Sequence, residues 1–176
     1  MPPNDIMIPA WVDGKLVPVE KLAVHQRGLR HLAVSVFVLC EDRILLQQRA
    51  LGKYHTPGLW ANTCCTHPMW GEDPLACAHR RLAEELGITG LDLVHRGQVE
   101  YRADVGKGLI EHELVDVFIA QTQNDLTVNP NPEEVMHTDW RTHAELQKDI
   151  AQKPVSFTPW LRIYLEKHAD MILGGT

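Results

Sequence analysis

Apolar positions in the first third of the chain follow the pattern of extended strands. Residues 31–40 (HLAVSVFVLC) are β-branched and apolar, Glu41-Asp42 interrupts them, and residues 43–49 (RILLQQR) resume the run. Two such runs with a short polar break predict a strand pair. Residues 50–60 carry Gly, Pro and Lys and are predicted to form a loop.

The clearest helix signal follows that loop. Asp73 is a suitable N-cap, Pro74 suits the first helical position, and Gly87 suits the position just past the end. Helical spacing places four apolar residues on one face, which we expect to be buried: Leu75, Ala78, Leu82 and Leu86.

Strands and helices also interleave in the second half. Residues 97–103 and 109–120 predict two strands joined by a turn, and residues 135–140 predict a third. Two helices follow, one capped by Thr142 with Glu145 three residues later and one starting at Thr158-Pro159. This irregular order favours a mixed α/β or α+β fold, with a sheet sandwiched between helices, over a doubly wound parallel sheet.

Length and composition agree with one domain over residues 1–176. Hydrophobic residues make up 44% of the chain and charged residues 23%, as in ordinary globular proteins. No apolar run approaches the roughly 20 residues that span a bilayer, and the N-terminus lacks the order of a signal peptide, so we expect a cytoplasmic protein. The net charge of -6 argues against nucleic acid as a partner and means that an anionic substrate needs local positive charge. A monomer or weak oligomer is expected.

Four cysteines without a secretory signal are predicted to be reduced thiols. Cys40 and Cys77 are expected to be small buried hydrophobes. Cys64 and Cys65 lie in the segment NTCCTHP, where a thiol near a cation or metal could donate or accept a proton. Together with His67 they could instead ligate zinc, although no second C-x2-C or H-x3-H completes such a site.

Two acidic segments could also carry chemistry. Glu84 and Glu85 lie in the last turn of the predicted helix, where the helix dipole disfavours carboxylates, so positive charge should compensate. Arg80 and Arg81 one turn earlier could supply part of it, and a divalent cation the rest. Glu111 and Glu113 share one face of a predicted strand with two valines, and buried carboxylates there would need a cation or protons. The alternatives are a solvated helix end and a solvated edge strand.

The helix segment resembles the Nudix box G-x5-E-x7-R-E-U-x-E-E-x-G-U, where U is aliphatic. Thr66 replaces the first Gly, and Arg81 replaces the Glu after the Arg. Nudix hydrolases hold metal on a diphosphate with these glutamates, so the resemblance implies diphosphate binding while Arg81 weakens the case for hydrolysis. The matching positions are Glu72, Arg80, Leu82, Glu84, Glu85, Gly87 and Ile88.

The order of all these motifs resembles the type I isopentenyl diphosphate isomerases of the Nudix superfamily. NTCCTHP, the altered box, Tyr101, Glu111-His112-Glu113 and SFTPW match from about Lys21 to Trp160. The resemblance implies conversion of isopentenyl diphosphate to dimethylallyl diphosphate, for isoprenoid biosynthesis, through protonation to a carbocation and removal of another proton. It implies that Cys65 and Glu113 are the catalytic pair, with Tyr101 beside Glu113 and Trp160 facing the cation.

The same resemblance implies two metals and a cationic subsite. A Mn, Fe or Zn ion would be held by His25, His31, His67, Glu111 and Glu113, and Mg would sit on the diphosphate with help from Glu85. Positive charge for the diphosphate would come from Lys21, Arg49, Lys53 and Arg81. By themselves, His25 and His31 would be read as surface residues. The alternatives are a Nudix hydrolase of a diphosphate and a non-catalytic diphosphate-binding module.

Overall fold

A computed structural model describes residues 6–174, and in this part of the chain nine strands form one mixed sheet. The strands are β1 Met7–Val12, β2 Lys15–Glu20, β3 Arg30–Cys40, β4 Arg43–Arg49, β5 Trp60–Ala61, β6 Cys64–Thr66, β7 Val94–Asp104, β8 Ile110–Gln121 and β9 Val135–Thr142. The helices are α1 Lys21–Arg27, α2 Pro74–Leu86, α3 His143–Gln152, α4 Pro159–Lys167 and α5 Ala169–Leu173, with a short 3-10 helix at Pro154–Ser156.

Strand β3 is the centre of the sheet. It pairs antiparallel with β1, β4 and β6, and it runs parallel to β8 over ten residue pairs. The predicted pairing of β3 with β4 is confirmed only next to the turn, at Leu39 with Ile44 and Cys40 with Arg43. Beyond that point β4 turns away to pair with β5 and β9, and β6 takes its place beside β3, while β8 pairs with the opposite edge of β3.

Alternate residues of β3 enter two different cores. Val34, Val36 and Val38 pack on the side covered by α2, whereas Phe37 and Leu39 pack on the side covered by α3, α4 and α5. Both faces of the central strand are therefore buried, as its almost uninterrupted apolar sequence requires. The predicted arrangement of a mixed sheet between helices is confirmed.

Helix α2 has the predicted ends, but one of its predicted core residues is wrong. The Asp73 side chain accepts a hydrogen bond from the backbone of Ala76, and Gly87 ends the helix in a left-handed conformation. Ala78, Leu82 and Leu86 are buried, whereas Leu75 is 39% exposed. Leu75 lies in the first turn of the helix, and the buried face begins two residues later at Cys77.

The N-terminal hairpin and the helix that follows it were not predicted from the sequence. β1 and β2 pair across Asp13-Gly14, and both turn residues have positive φ angles of 50° and 78°. An Asp-Gly pair between two extended runs is a strong hairpin signal that could have revealed it. Helix α1 begins directly after β2 and buries His25. No helix in residues 6–174 is long and apolar enough to cross a membrane.

Candidate metal and catalytic site

The register of the central strands brings the predicted site residues together. His31 in β3 lies beside Glu113 in β8, and Tyr101 in β7 lies on the other side of Glu113. Cys65 in β6 lies opposite Ser35 in β3. All five residues come from paired strands, so their relative positions are fixed by backbone hydrogen bonds.

Four side chains converge at one end of these strands with atoms suited to a metal ion. One ligand atom from each of His25, His31, His67 and Glu111 lies within 4.8 Å of the others. The Glu111 Oε2 atom is 3.5 Å from His67 Nε2 and 3.7 Å from His31 Nε2, and its Oε1 atom contacts His25 Nε2. His25, His31 and Glu111 are buried. The interpretation of the two histidines as surface residues is therefore wrong.

The outer nitrogens of two of these histidines are held by the backbone. His25 Nδ1 is 2.7 Å from the carbonyl of Lys21, and His31 Nδ1 is 2.8 Å from the carbonyl of Leu29. A carbonyl accepts only from a protonated nitrogen, so Nδ1 of each ring carries a proton, and Nε2, which faces Glu111, is the atom that could bind a metal once it is deprotonated. His31 Nε2 is buried and has no hydrogen-bond partner in residues 6–174. The donor set therefore fits a metal that accepts mixed nitrogen and oxygen ligands.

Glu113 lies beside this cluster. Its Oε2 atom is 2.8 Å from His67 Nε2 and 3.4 Å from His31 Nε2, and its Oε1 atom accepts a hydrogen bond from the Tyr101 hydroxyl. Burial raises the pKa of Tyr101 well above its usual value, and the charge of Glu113 raises it further. Tyr101 therefore remains a neutral donor to the carboxylate.

Burial and the charged neighbours shift the pKa values of this cluster in opposite directions. Burial lowers the pKa of His31, but the nearby carboxylates of Glu111 and Glu113 outweigh it and raise the value to about 10. Burial dominates at His67 and lowers its pKa. Burial would raise the pKa of Glu111, yet the surrounding histidines hold it well below its ordinary value. Two clustered carboxylates thus need positive charge, which protons or a metal ion can supply.

Cys65 faces the same cavity as these groups. Its Sγ donates to Asn62 Oδ1 at 2.7 Å, and burial is the main cause that raises its pKa to about 12. The thiol is therefore protonated at neutral pH and carries a proton that it can give up. Cys64 points to the other face of the sheet, where it is fully buried and its Sγ donates to Glu85 at 2.8 Å.

The cavity combines this cluster with positive charge and one aromatic wall. The Arg49 guanidinium lies 5.4 Å from the ring centre of Trp160, which is almost completely buried. Burial and the nearby Lys53 and Arg81 lower the pKa of Lys21 to about 8, which reflects how closely the cations gather. The predicted site residues that line this cavity are Lys21, Arg49, Lys53, Cys65, His67, Arg81, Glu85, Glu111, Glu113 and Trp160.

Arg81 is paired with carboxylates on two elements. Its guanidinium contacts Glu84 at 2.7 Å and the buried Glu85 at 3.0 Å, and it lies 3.4 Å from Glu134. Lys53 is 2.5 Å from the same Glu134. The predicted compensation of the acidic helix end by arginine is therefore present. Glu134 was not predicted, because it lies outside every motif and contacts the site only through the fold.

Two further cavity residues were also missed. His55 Nε2 lies 3.4 Å from Glu111 Oε1, and the Tyr54 hydroxyl is 3.5 Å from His25 Nε2. Burial lowers the pKa of His55 to about 4, so it is neutral. The available signal was the pair Tyr54-His55 inside a Gly- and Pro-containing loop directly after the candidate cation Lys53.

Comparison with known proteins places this geometry in a family. The NUDIX domain family matches residues 29–161. The chain is 62% identical over 168 residues to an isopentenyl-diphosphate Delta-isomerase of Cereibacter sphaeroides, covering 96% of this chain and 95% of that protein. It is 61% identical over 168 residues to the protein of the same name from Dinoroseobacter shibae, covering 96% of each.

Solved structures support the fold. A protein from Deinococcus radiodurans superposes with a TM-score of 0.73 at 15% identity, covering 92% of this chain and 99% of that one. A MutT NUDIX hydrolase from Burkholderia pseudomallei gives a TM-score of 0.61 at 22% identity, covering 79% of this chain and 98% of that one. From these matches, the chain belongs to the isopentenyl-diphosphate Delta-isomerase family and is built on a NUDIX domain.

Proposed function

We propose that the chain converts isopentenyl diphosphate to dimethylallyl diphosphate, with Cys65 and Glu113 as the proton-transfer pair. One observation carries this assignment. A neutral thiol and a carboxylate line the same cavity, next to four cations that suit a diphosphate. Family membership supports the activity, and the positions of the two side chains support their roles.

The reaction needs one proton to be added and a different one to be removed. One member of the pair protonates an alkene carbon, which forms a C–H bond and leaves a tertiary carbocation. The other member takes a proton from a neighbouring carbon, and the electrons of that C–H bond form the new double bond. The substrate keeps its composition, while the pair exchanges its protonation states and must be reset by proton exchange before the next turnover.

The surroundings of the pair suit a carbocation. Water would capture such a cation, so the walls must exclude solvent, and most of the lining side chains are buried. The indole of Trp160 can stabilise positive charge through its ring face. Tyr101 donates to Glu113 and keeps that carboxylate in one orientation.

The metal-binding residues are proposed from the same geometry. His25, His31, His67, Glu111 and Glu113 would hold a Mn, Fe or Zn ion, and Glu85 would bind Mg on the diphosphate. These ions would neutralise carboxylate and diphosphate charge in the cavity. Lys21, Arg49, Lys53 and Arg81 would bind the remaining phosphate oxygens. A cytoplasmic location and a monomer or weak oligomer remain predictions.

A single assay tests the activity against its alternatives. The protein is incubated with isopentenyl diphosphate, Mg and Mn, and the products are separated. We expect dimethylallyl diphosphate. Release of phosphate without isomer would instead indicate a Nudix hydrolase, and binding without any product would indicate a non-catalytic module. Either of these results would refute the proposal.

A further inference from the structure

Three buried polar side chains form a hydrogen-bond network with Cys65 on the side away from the cavity. Asn62 and Ser35 contact its sulfur directly, and Tyr164 contacts Ser35. Asn62 and Tyr164 are fully buried and Ser35 is nearly so. Polar groups in such positions cost free energy unless they are paired, so their arrangement calls for an explanation.

The directions of these hydrogen bonds can be assigned from the number of available protons. The Ser35 hydroxyl donates to Cys65 Sγ, with a distance of 3.5 Å between the oxygen and the sulfur. Ser35 has only one hydroxyl proton, so the Tyr164 hydroxyl must be the donor in the 2.8 Å contact between the two oxygens. The chain of donors therefore runs from Tyr164 to Ser35 to Cys65.

Asn62 has a different effect on the same sulfur. Its Nδ2 donates to the backbone carbonyls of Val36 and Cys64 at 3.0 Å and 3.3 Å, which fixes the orientation of the amide. Its Oδ1 is thereby held 2.7 Å from Cys65 Sγ as an acceptor. Asn62 can hold the thiol proton, but it cannot turn a donor towards a sulfur that has lost it.

The positions of the two hydroxyls are set by regular structure. Ser35 lies directly opposite Cys65 in the β3–β6 pair, and Tyr164 projects from α4 into the core beside Phe37, with 5.8 Å between the ring centres. Because strands and helices hold both groups, the hydroxyl of Ser35 is already oriented before the sulfur changes its charge. Such fixed donors stabilise a developing charge without a cost of rearrangement.

We propose that Ser35 and Tyr164 are positioning residues of the isomerase reaction, in which they orient the Cys65 sulfur and stabilise it after its proton has moved to the substrate. In residues 6–174, Ser35 is the only side chain that donates a hydrogen bond to this sulfur. Tyr164 acts through Ser35. The Tyr164 hydroxyl donates a hydrogen bond to the Ser35 oxygen, and the Ser35 hydroxyl proton therefore points at the sulfur. The inference rests on the proposed role of Cys65.

The test is a double-mutant cycle on steady-state isomerisation with Ser35→Ala, Tyr164→Phe and the double variant. Loss of a hydrogen bond to a charged group lowers a rate by about 10- to 100-fold, so we expect that decrease in kcat for Ser35→Ala, with KM within about twofold of the wild type. Tyr164→Phe, which removes one oxygen, should lower kcat by about three- to tenfold. The double variant should match Ser35→Ala, because Tyr164 has nothing to act through once Ser35 is gone.

Phe37→Leu is the matched control, since it disturbs the packing around Tyr164 but leaves the hydroxyls in place. It should lower the thermal stability while kcat stays within about twofold of the wild type. Additive losses in the cycle, an effect on KM alone, or an unchanged kcat in Tyr164→Phe and Ser35→Ala would each overturn the inference. A wild-type protein that makes no isomer would refute the proposed function itself, which keeps the two failures apart.

Discussion

Strand alternation gives two neighbouring cysteines different surroundings. Cys65 packs against the core beneath α4, whereas Cys64 packs against α2 and donates to Glu85. Successive side chains of a strand point to opposite faces, so only one of the two thiols can reach the cavity. The motif NTCCTHP thus supplies one thiol for the candidate catalytic pair and one for the support of a buried carboxylate.

The different surroundings of the cysteines predict that Cys65 is essential for isomerisation and that Cys77 is not. Cys65→Ala and Glu113→Gln should each abolish measurable isomerisation, because general acid–base groups contribute about 10²- to 10⁴-fold and the two act in sequence. Cys77→Ala is the control: burial raises the pKa of Cys77 to about 12 as well, but this thiol lies in the core under α2. Kinetics and circular dichroism of all three variants check this, and an active Cys65→Ala protein would refute the assigned role.

Residues were predictable from the sequence where a motif contains them. Tyr101, Glu111 and Glu113 were assigned to one site from their resemblance and spacing, and the structure brings them together. Ser35 and Tyr164 were not predicted, since an apolar run shows only that its members are buried. The contact between these two hydroxyls depends on the register of β3 and the position of α4. Neither can be predicted from local sequence.

The helix signals were reliable because they are local. Asp73 and Gly87 mark the ends of α2, and Thr142 with Glu145 forms the predicted capping box of α3. The pairing of β3 was not predictable in the same way. Its long parallel partner β8 lies about 80 residues away along the chain, on the edge opposite to β4, and no local signal indicates this pairing.

The end of α2 allows a prediction that separates backbone strain from contact. Gly87 has a φ of 64°, and a Cβ there would lie 3.0 Å from the Asn129 carbonyl oxygen, whereas Gly90 has a φ of 77° and open space around it. Both Gly87→Ala and Gly90→Ala should lose about 1 kcal/mol from strain. Gly87→Ala should lose more, because it also displaces the loop that hydrogen-bonds to the end of α2.

Denaturant unfolding of both variants checks this prediction. The displaced loop runs on to Glu134, which pairs with Lys53 and Arg81 at the candidate diphosphate subsite. Gly87→Ala should therefore also raise KM for the substrate, while Gly90→Ala should not. Equal losses of stability in the two variants would contradict the role of the contact with Asn129.

The candidate metal cluster joins parts of the chain that are far apart in sequence. His25 lies in α1, His31 in β3, Glu111 in β8, and His67 in the loop after β6. An ion bound by all four would connect the N-terminal helix to the central sheet. It would also neutralise two buried carboxylates that otherwise depend on protonated histidine, so the native state should be considerably more stable with metal than without it.

Removal of metal should therefore lower the thermal stability of the whole chain. Metal present at about 100 times its Kd stabilises the native state by about 2.7 kcal/mol, which for a protein of this size raises Tm by about 5–10 °C. We expect a chelator to remove this gain and added Mn or Zn to restore it, as measured by calorimetry without substrate.

His67→Gln should abolish the response, because it removes one ligand. His79→Ala, on the exposed face of α2, should retain it. An unchanged Tm in the chelated wild type would show that protons alone compensate the carboxylates, and that the four elements are held together by packing without an ion.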